Sequence, residues 1–538
     1  MTLGLLFLIS GYLALVVAAN FGDLLRWLIP RRLGGYRQLV EPVDPQRPRR
    51  LEAPKKVAVL GGGLAGLGAA AILGERGYQV TLYEKRATLG GKLTSFPIKV
   101  GDEEVSISHG FHAFFRHYYN LNHFLDRLGL RQNFRAIEDY VILDPSGEAL
   151  RFGELERTPV LNLLAMAQKG FFRWQDILFG PAKDHLGVFL EYDPERTFRE
   201  LDHLSFADFA KVAALPPRLK LAFNTFSRAF FADEHLLSLA ELVKCFHFYY
   251  LGHDGGLVYD YPTQDYEVGF LTPLRRHLEH HGVQLRLGRA VGKLGKTTDG
   301  FMVDGERYDQ VVVATDVVGA RAILESAPGL EPLHDTFRSL RPGQRYAVWR
   351  LWLDRDVRAD LPVFVITDRL VMLDAVAIYH RLEDESRAWV DRHGGAILEL
   401  HCYAVPDRIA DEAAIRHQLL AEMATFFPEL KQAHLLHEHL EVRRDFTAFH
   451  VGLNERRPGT QSGVPGLHFA GDWVKLPFPA MLMEAAFASG VVAANQILSQ
   501  DNLQKEPLYT VPRRGLLADL PRNERARREL SQAGRRTA

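Results

Sequence analysis

Hydrophobic and polar positions divide the chain into sharply different stretches. Thr2 to Gly22 (TLGLLFLISGYLALVVAANFG) carries no charge, close to the ~20 apolar residues that cross a bilayer as a helix. Val40 to Lys56 holds four prolines among many charges, the pattern of a linker. From Lys55 the run KVAVL reads as a short buried strand. A glycine-rich turn, an alanine-rich helix and a second strand (YQVTLYE) follow. Residues 125–280 are mostly helical in pattern and rich in aromatics. VQLRLGRAVGKLGKTTDGFMVDGERYDQVVVATD reads as successive strands with Gly and Asp turns. YAVWRLWL and AILELHCYAV mark strands in a further region, and LHFAGDW followed by MLMEAAFASG reads as a strand and then a helix. No internal repeat or low-complexity tract is present.

Composition adds limits. The 538 residues suffice for two to four domains, and a net charge of -1 gives no global field for nucleic acid. Two cysteines, Cys245 and Cys402, stand far apart, which argues against a disulfide scaffold and fits a reducing compartment. No basic residue precedes the apolar N-terminus, whereas nine basic and four acidic residues lie between Asp23 and Lys56. That excess keeps the following domain cytoplasmic. We therefore expect a membrane-anchored protein with its catalytic domain on the cytoplasmic side; a cleaved signal peptide or a buried helix are the competing readings. Eight arginines against three acids from Arg513 to Arg536 suit either a helix lying near an anionic membrane face or a solvated tail.

The chemistry is concentrated in KKVAVLGGGLAGLGAAAILGERGYQVTLYEKRATLGGK. Gly61-Gly62-Gly63-Leu64-Ala65-Gly66 satisfies G-x-G-x-x-G between a strand and a helix. Gly61 suits a tight turn, Gly63 lets a pyrophosphate approach the backbone, and Gly66 lets helix and strand pack closely. The helix N-terminus offers free N–H groups and its positive dipole end to phosphate. Glu84 ends the second strand, where a carboxylate accepts from ribose hydroxyls. Lys85 follows it, and Gly90-Gly91-Lys92 adds a second close backbone approach, which suits a cofactor as long as FAD.

This segment, VVVATD (Val311 to Asp316) and LHFAGDW (Leu467 to Trp473) together resemble the FAD-contacting pieces of the amine oxidase and phytoene desaturase superfamily. The resemblance implies that Asp472, after Gly471, holds the polar chain of FAD, and that Met483 begins a helix aimed at the flavin. FHFYYLG and LPFPAMLME resemble carotenoid desaturases of the isorenieratene synthase type, which aromatise a β-ring with methyl migration. Three features depart from that pattern: the N-terminal apolar segment, Lys92 in place of the usual Arg, and Ala485-Ala486 in place of Gly-Ala.

The resulting expectation is an α/β fold. A Rossmann-like FAD-binding domain of the amine oxidase/phytoene desaturase type interleaves with a mixed α+β substrate domain, plus an N-terminal hydrophobic helix. The boundaries are 1–30 (transmembrane anchor), 31–54 (linker), 55–125, 281–330 and 446–503 (FAD-binding segments), 126–280 and 331–445 (substrate domain), and 504–538 (basic tail). The expected partners are FAD, an apolar carotenoid or related isoprenoid, a membrane, and a quinone or oxygen as electron acceptor; no nucleic acid is expected.

The substrate side reads as greasy. Phe111, Phe114, Phe115, Tyr118 and Tyr119, and a second run from Phe226 to Tyr250, are either pocket or core. Thr158 to Leu178 suits a helix dipping into a bilayer or an ordinary core helix. His112 is the candidate acid/base or ring-orienting group, with a structural histidine as the rival reading. Glu484 is a similar case, with a cap or salt bridge of the C-terminal helix as the rival reading. HLLHEHL (His434 to Leu440) lacks the H-E-x-x-H order of a metal helix and reads as entering a strand, and His277, His280 and His281 read as a solvated face, so no metal is expected. The competing functions are a redox-neutral carotenoid isomerase or squalene-type dehydroxylase, and a non-catalytic flavin-containing carotenoid or lipid carrier.

Overall fold

A computed structural model describes residues 20–228, 230–520 and 523–537. Its organising element is a five-stranded parallel sheet. The strand order is Gln284–Arg286, Gln79–Tyr83, Lys56–Leu60, Gln310–Val313, Leu467–Phe469. The strands come from three distant stretches of chain, which is why the sequence shows three separate cofactor-type segments. VAVL and VVV have no polar face because helices or strands cover both sides of a parallel sheet.

The first covering helix, Leu64–Glu75, is buried along its whole length. Helix Leu482–Gln500 packs against it, and the contact depends on missing side chains. A Cβ on Gly490 would lie 2.0 Å from the Ala65 carbonyl oxygen, and one on Gly66 would lie 1.9 Å from the Gly61 oxygen. The alanine-rich helix is thus built for close approach.

The second body is a seven-stranded sheet. Its order is Leu435–Arg443, Tyr346–Leu353, Ala396–Cys402, Ala375–Ile378, Phe364–Thr367, Val141–Leu143, Ala149–Arg151. All neighbours are antiparallel except the parallel pair Phe364–Thr367 and Val141–Leu143. Side chains alternate between faces. Leu398, Leu400 and Cys402 pack into a core with helix Glu412–Phe426, while Glu399 and His401 face the other way. Residues 126–280 are mostly helical, as the pattern predicts, with strands such as Tyr259–Pro262 among the helices.

Four expectations need correction or restriction. Residues 1–19, most of the expected anchor and N-terminal hydrophobic helix, lie outside the described residues; the described chain begins just ahead of a helix over Phe21–Leu33. Among the described residues the helix long and apolar enough to cross a membrane is Leu482–Gln500, two-thirds of which is buried as a core helix. The 31–54 stretch is not a free linker, because Gln38–Glu41 pairs antiparallel with Leu508–Thr510. Thr158–Leu178 is not one helix. It breaks into Leu161–Gln168 and Trp174–Leu178, since Gly170 takes φ +87° and Phe171 and Phe172 turn inward. The basic tail ends in a docked helix, Glu524–Thr537, whose Arg527 pairs with Glu191 and Glu200.

Candidate active site

A single cavity of about 630 Å³ runs from the glycine turn of the parallel sheet to the open face of the seven-stranded sheet. Leu60, Gly61, Gly63, Leu64 and Ala65 line its first end, with Glu84, Lys85, Gly90, Gly91 and Lys92 beside them. Gly61 is held at φ +113°, and a Cβ there would meet the Ala314 oxygen at 2.6 Å. Gly63 differs. A Cβ on it would meet nothing nearer than the Gly91 Cα at 4.0 Å. The protein's own packing leaves space at that position, directly in front of a helix N-terminus with no side-chain cap. An uncapped helix end beside open space suits a phosphate.

Glu84 clamps this turn. Its Oε2 accepts from the Gly62 N–H at 2.7 Å and its Oε1 from the Arg86 N–H at 2.9 Å. Gly66 does not line the cavity; it serves the helix–strand contact alone. Lys85 lies 3.8 Å from Asp316, and Lys92 sets its ammonium 4.8 Å from the centre of the Phe446 ring.

The Gly471-Asp472 pair sits across the cavity. Gly471 donates its N–H to Ser489 Oγ at 2.7 Å, and Asp472 Oδ1 accepts from Thr447 Oγ1 at 2.8 Å. Arg457 holds the turn from behind, donating to the carbonyls of Asp472 (3.1 Å) and Trp473 (2.9 Å) and to Glu241 (2.7 Å). Helix Leu482–Gln500 then starts without a side-chain cap, and Leu482, Met483 and Ala486 line the cavity. Two uncapped helix ends therefore open on one space. Glu484 faces away and caps helix Tyr119–Arg127, accepting from the N–H groups of Asn120 (2.9 Å) and Leu121 (3.1 Å). Burial pushes its carboxyl up to about 7.

The far end is aromatic. Phe111 lies 4.7 Å from Phe364 and 5.9 Å from Tyr259, ring centre to ring centre, and Phe231 stacks on Phe446 at 4.1 Å. Phe231 has φ +54°, a strained conformation for a bulky residue and one that collects at functional sites. The aromatic runs split as their two readings implied. Phe111, Phe115, Tyr118 and Phe231 line the cavity, whereas Phe114, Phe230, Phe246 and Phe248 are core.

Polar groups here are few and held. His112 lines the cavity with its Nδ1 2.9 Å from the Gly110 carbonyl, which only accepts, so Nδ1 carries the hydrogen and Nε2 is left as an acceptor. Burial lowers this imidazole to about 4, so it is neutral. His109 pairs with Glu441 and stands 3.3 Å from the Tyr346 hydroxyl, which donates to Asp445 at 2.8 Å. Sequence reading missed Arg350, Glu399 and His401. Their signal was present, as a lone arginine inside the otherwise apolar strand YAVWRLWL and as Glu399 and His401 two positions apart inside AILELHC.

The first histidine cluster enters a strand, as its sequence suggests, and the second departs from expectation. Leu435–Arg443 is a strand, so His434 and His437 share no helix face. His277 is more than solvated: its Nε2 lies 2.8 Å from Glu75, with His281 close by. Arg127 occupies the same carboxylate at 2.7 Å, making this an ion-pair cluster.

A dinucleotide-sized cradle fed by three chain segments, leading to an aromatic chamber, defines a flavoenzyme of the two-domain type. The family model for flavin containing amine oxidoreductase matches residues 64–498, and the chain belongs to that family. It is an FAD-dependent oxidoreductase. Carotenoid phi-ring synthase of Streptomyces griseus is 38% identical over 501 residues, covering 90% of this chain and 95% of that protein. The carotenoid phi-ring synthase of Chlorobaculum tepidum is 27% identical over 87% of this chain and 92% of its own length. A zeta-carotene desaturase of Synechocystis matches half of this chain at 27% identity. A putrescine oxidase bound to putrescine superposes with a TM-score of 0.60 at 17% identity, covering 83% of this chain and 99% of that one, a likeness of fold.

Proposed function

We propose that the protein converts the cyclic β-type end group of a carotenoid into an aromatic ring, with migration of one ring methyl. The observation that carries this reading is the continuity of the Gly61–Ala65 cradle with an aromatic chamber. Its support is the similarity to carotenoid phi-ring synthases along nine-tenths of the chain.

Gly61, Gly63, Leu64, Ala65, Glu84, Lys85, Gly90, Gly91 and Lys92 would hold the adenosine and phosphate part of FAD, with Gly66 setting the approach of the helix. Gly471, Asp472 and Met483 would hold the flavin end, the free N–H groups of the helix start supporting negative charge. When bound, FAD supplies the acceptor for hydride equivalents leaving the substrate.

A ring with one double bond needs two more to become aromatic, so two hydride–proton pairs leave each ring. The carbon bearing two methyls blocks this until one methyl shifts to a cationic neighbour. The aromatic walls suit such a cation, because ring faces attract positive charge and keep water out. The role proposed for His112 is to orient the ring and, as a neutral acceptor at Nε2, to take one of the two protons.

Membrane attachment belongs to the same reading. The uncharged stretch before residue 20 leads into a helix that exposes Phe21, Leu24, Trp27 and Leu28. Such an apolar helix surface, laid against a membrane, would supply a route for a lipid-dissolved substrate.

The test is to express the protein in a β-carotene-producing host and weigh the extracted pigments. Loss of two hydrogen pairs per converted ring with every carbon retained is the expected result. Unchanged mass with a shifted chromatogram would instead favour the isomerase reading, and unchanged pigment bound to the protein the carrier reading.

A further inference from the structure

The end-ring reading leaves one of the two protons without an acceptor, and the inference below rests on that reading. His401 lies on strand Ala396–Cys402, on the face turned from the Leu398–Leu400 core, and its ring lines the cavity. Its Nε2 is 3.0 Å from Glu399 Oε1, within ion-pair distance but off the line of a hydrogen bond. The same oxygen accepts from the Phe111 N–H at 3.0 Å, so the carboxylate also holds the loop that carries Phe111 and His112. Glu399 Oε2 accepts from Arg350 Nε at 3.0 Å and Nη2 at 2.6 Å. Arg350 in turn donates to Ser108 Oγ at 3.0 Å and stacks its guanidinium 3.6 Å from the centre of the Tyr379 ring.

This array is buried: Arg350 is 2% exposed, Glu399 1% and His401 3%. Burial alone would lift the Glu399 carboxyl, but Arg350 and His401 hold it down to about 2, so it is ionised. Buried ion pairs contribute little to stability because desolvation offsets the attraction. Placing one behind a cavity histidine has a chemical use. An ionised carboxylate at this distance stabilises the imidazolium formed when the ring takes a proton. Among the described residues that line the cavity, His112 has no such carboxylate on its ring; its partners are the Gly110 carbonyl and the Tyr266 hydroxyl.

We propose that His401 accepts a proton from the ring cation, and that Glu399 and Arg350 are its positioning residues. In this step a ring C–H bond breaks, its electron pair becomes the new ring C=C bond, and the proton goes to the imidazole. Bound FAD would supply the acceptor for the hydride equivalent, so the proton step itself needs no oxidant. Positive charge moves from the ring to His401, where the Glu399 carboxylate faces it.

The experiment uses the full-length holoprotein in lipid vesicles with β-carotene and an excess of a quinone or oxygen as electron acceptor, reading product mass, kcat, KM and flavin absorbance. H401A and H401Q are expected to lower kcat by ~10²-fold or more, the usual size of a positioned acid/base. KM and flavin content stay near wild type, and pigments lacking one hydrogen pair per ring accumulate. Added imidazole restores part of the H401A rate and none of the H401Q rate. E399Q is expected to lower kcat by ~10-fold or more with KM unchanged, as supporting residues of a site do. A rate in H401Q within threefold of wild type, or a loss in H401A that imidazole leaves untouched, overturns the proposal. Wild-type protein run alongside keeps the two ideas apart. A wild type that leaves the ring unaltered removes the end-ring reading and this inference together, whereas an active wild type with an equally active H401Q removes this inference alone.

Discussion

Replacing Gly63 with alanine separates cofactor binding from folding. The backbone there is at φ -78°, which alanine adopts, and the new Cβ meets no protein atom nearer than 4.0 Å. Restricting the unfolded chain favours alanine by ~0.4–1 kcal/mol. Losing glycine's preference for a helix N-cap costs about as much. The flavin-free protein should therefore keep its stability within ~1 kcal/mol of wild type. The methyl group does fill the space in front of the uncapped helix start, where the phosphates are proposed to sit. One displaced charge-assisted hydrogen bond costs ~1.5–3 kcal/mol, a ~10–150-fold loss of FAD affinity. Gly66→Ala is the contrast: its Cβ would stand 1.9 Å from the Gly61 oxygen, so backbone must move and the fold itself suffers. The assay is FAD titration by flavin fluorescence, paired with urea unfolding of the flavin-depleted protein. G63A binding FAD as tightly as wild type would refute the assignment, and so would G63A unfolding several kcal/mol more easily without flavin.

Glu84→Ala removes the acceptor for the Gly62 and Arg86 N–H groups as well as the proposed ribose partner. It should purify with little flavin, and full yellow occupancy would sink that role. Glu484 is held protonated more readily folded than unfolded, with its carboxyl raised from 4.5 to about 7. Its contribution is present below the unfolded value and lost as pH rises through about 7, by up to ~3 kcal/mol. E484Q should flatten the urea-unfolding stability profile between pH 5 and 8, and an unchanged slope would count against the burial argument. Deleting residues 1–30 should release most of the protein from membranes. Protein that stays bound would shift attention to Leu178 and Phe179, both exposed.

Much of the cofactor half was legible from sequence because its chemistry is local. Strand, glycine turn, helix and Glu84 fall within thirty residues, and each position is constrained by backbone geometry that only a few residue types satisfy. The strands YAVWRLWL and AILELHCYAV were equally readable, since their composition suits a sheet covered on both faces. The packing role of Gly66 was readable too; that Gly66 does not also line the cavity needed the structure.

The substrate half was decided by tertiary structure. Whether an aromatic side chain lines the chamber or fills the core depends on which elements pack against it, and Phe111 and Phe114 take different fates three positions apart. The same holds for charge. Arg350, Glu399 and His401 come from two strands separated in the chain by two further strands and two helices, and the loop that meets them begins near residue 108. Local pattern registers each as an oddity in an apolar strand. Only the antiparallel register, which sets Arg350 opposite Glu399, turns three oddities into one array.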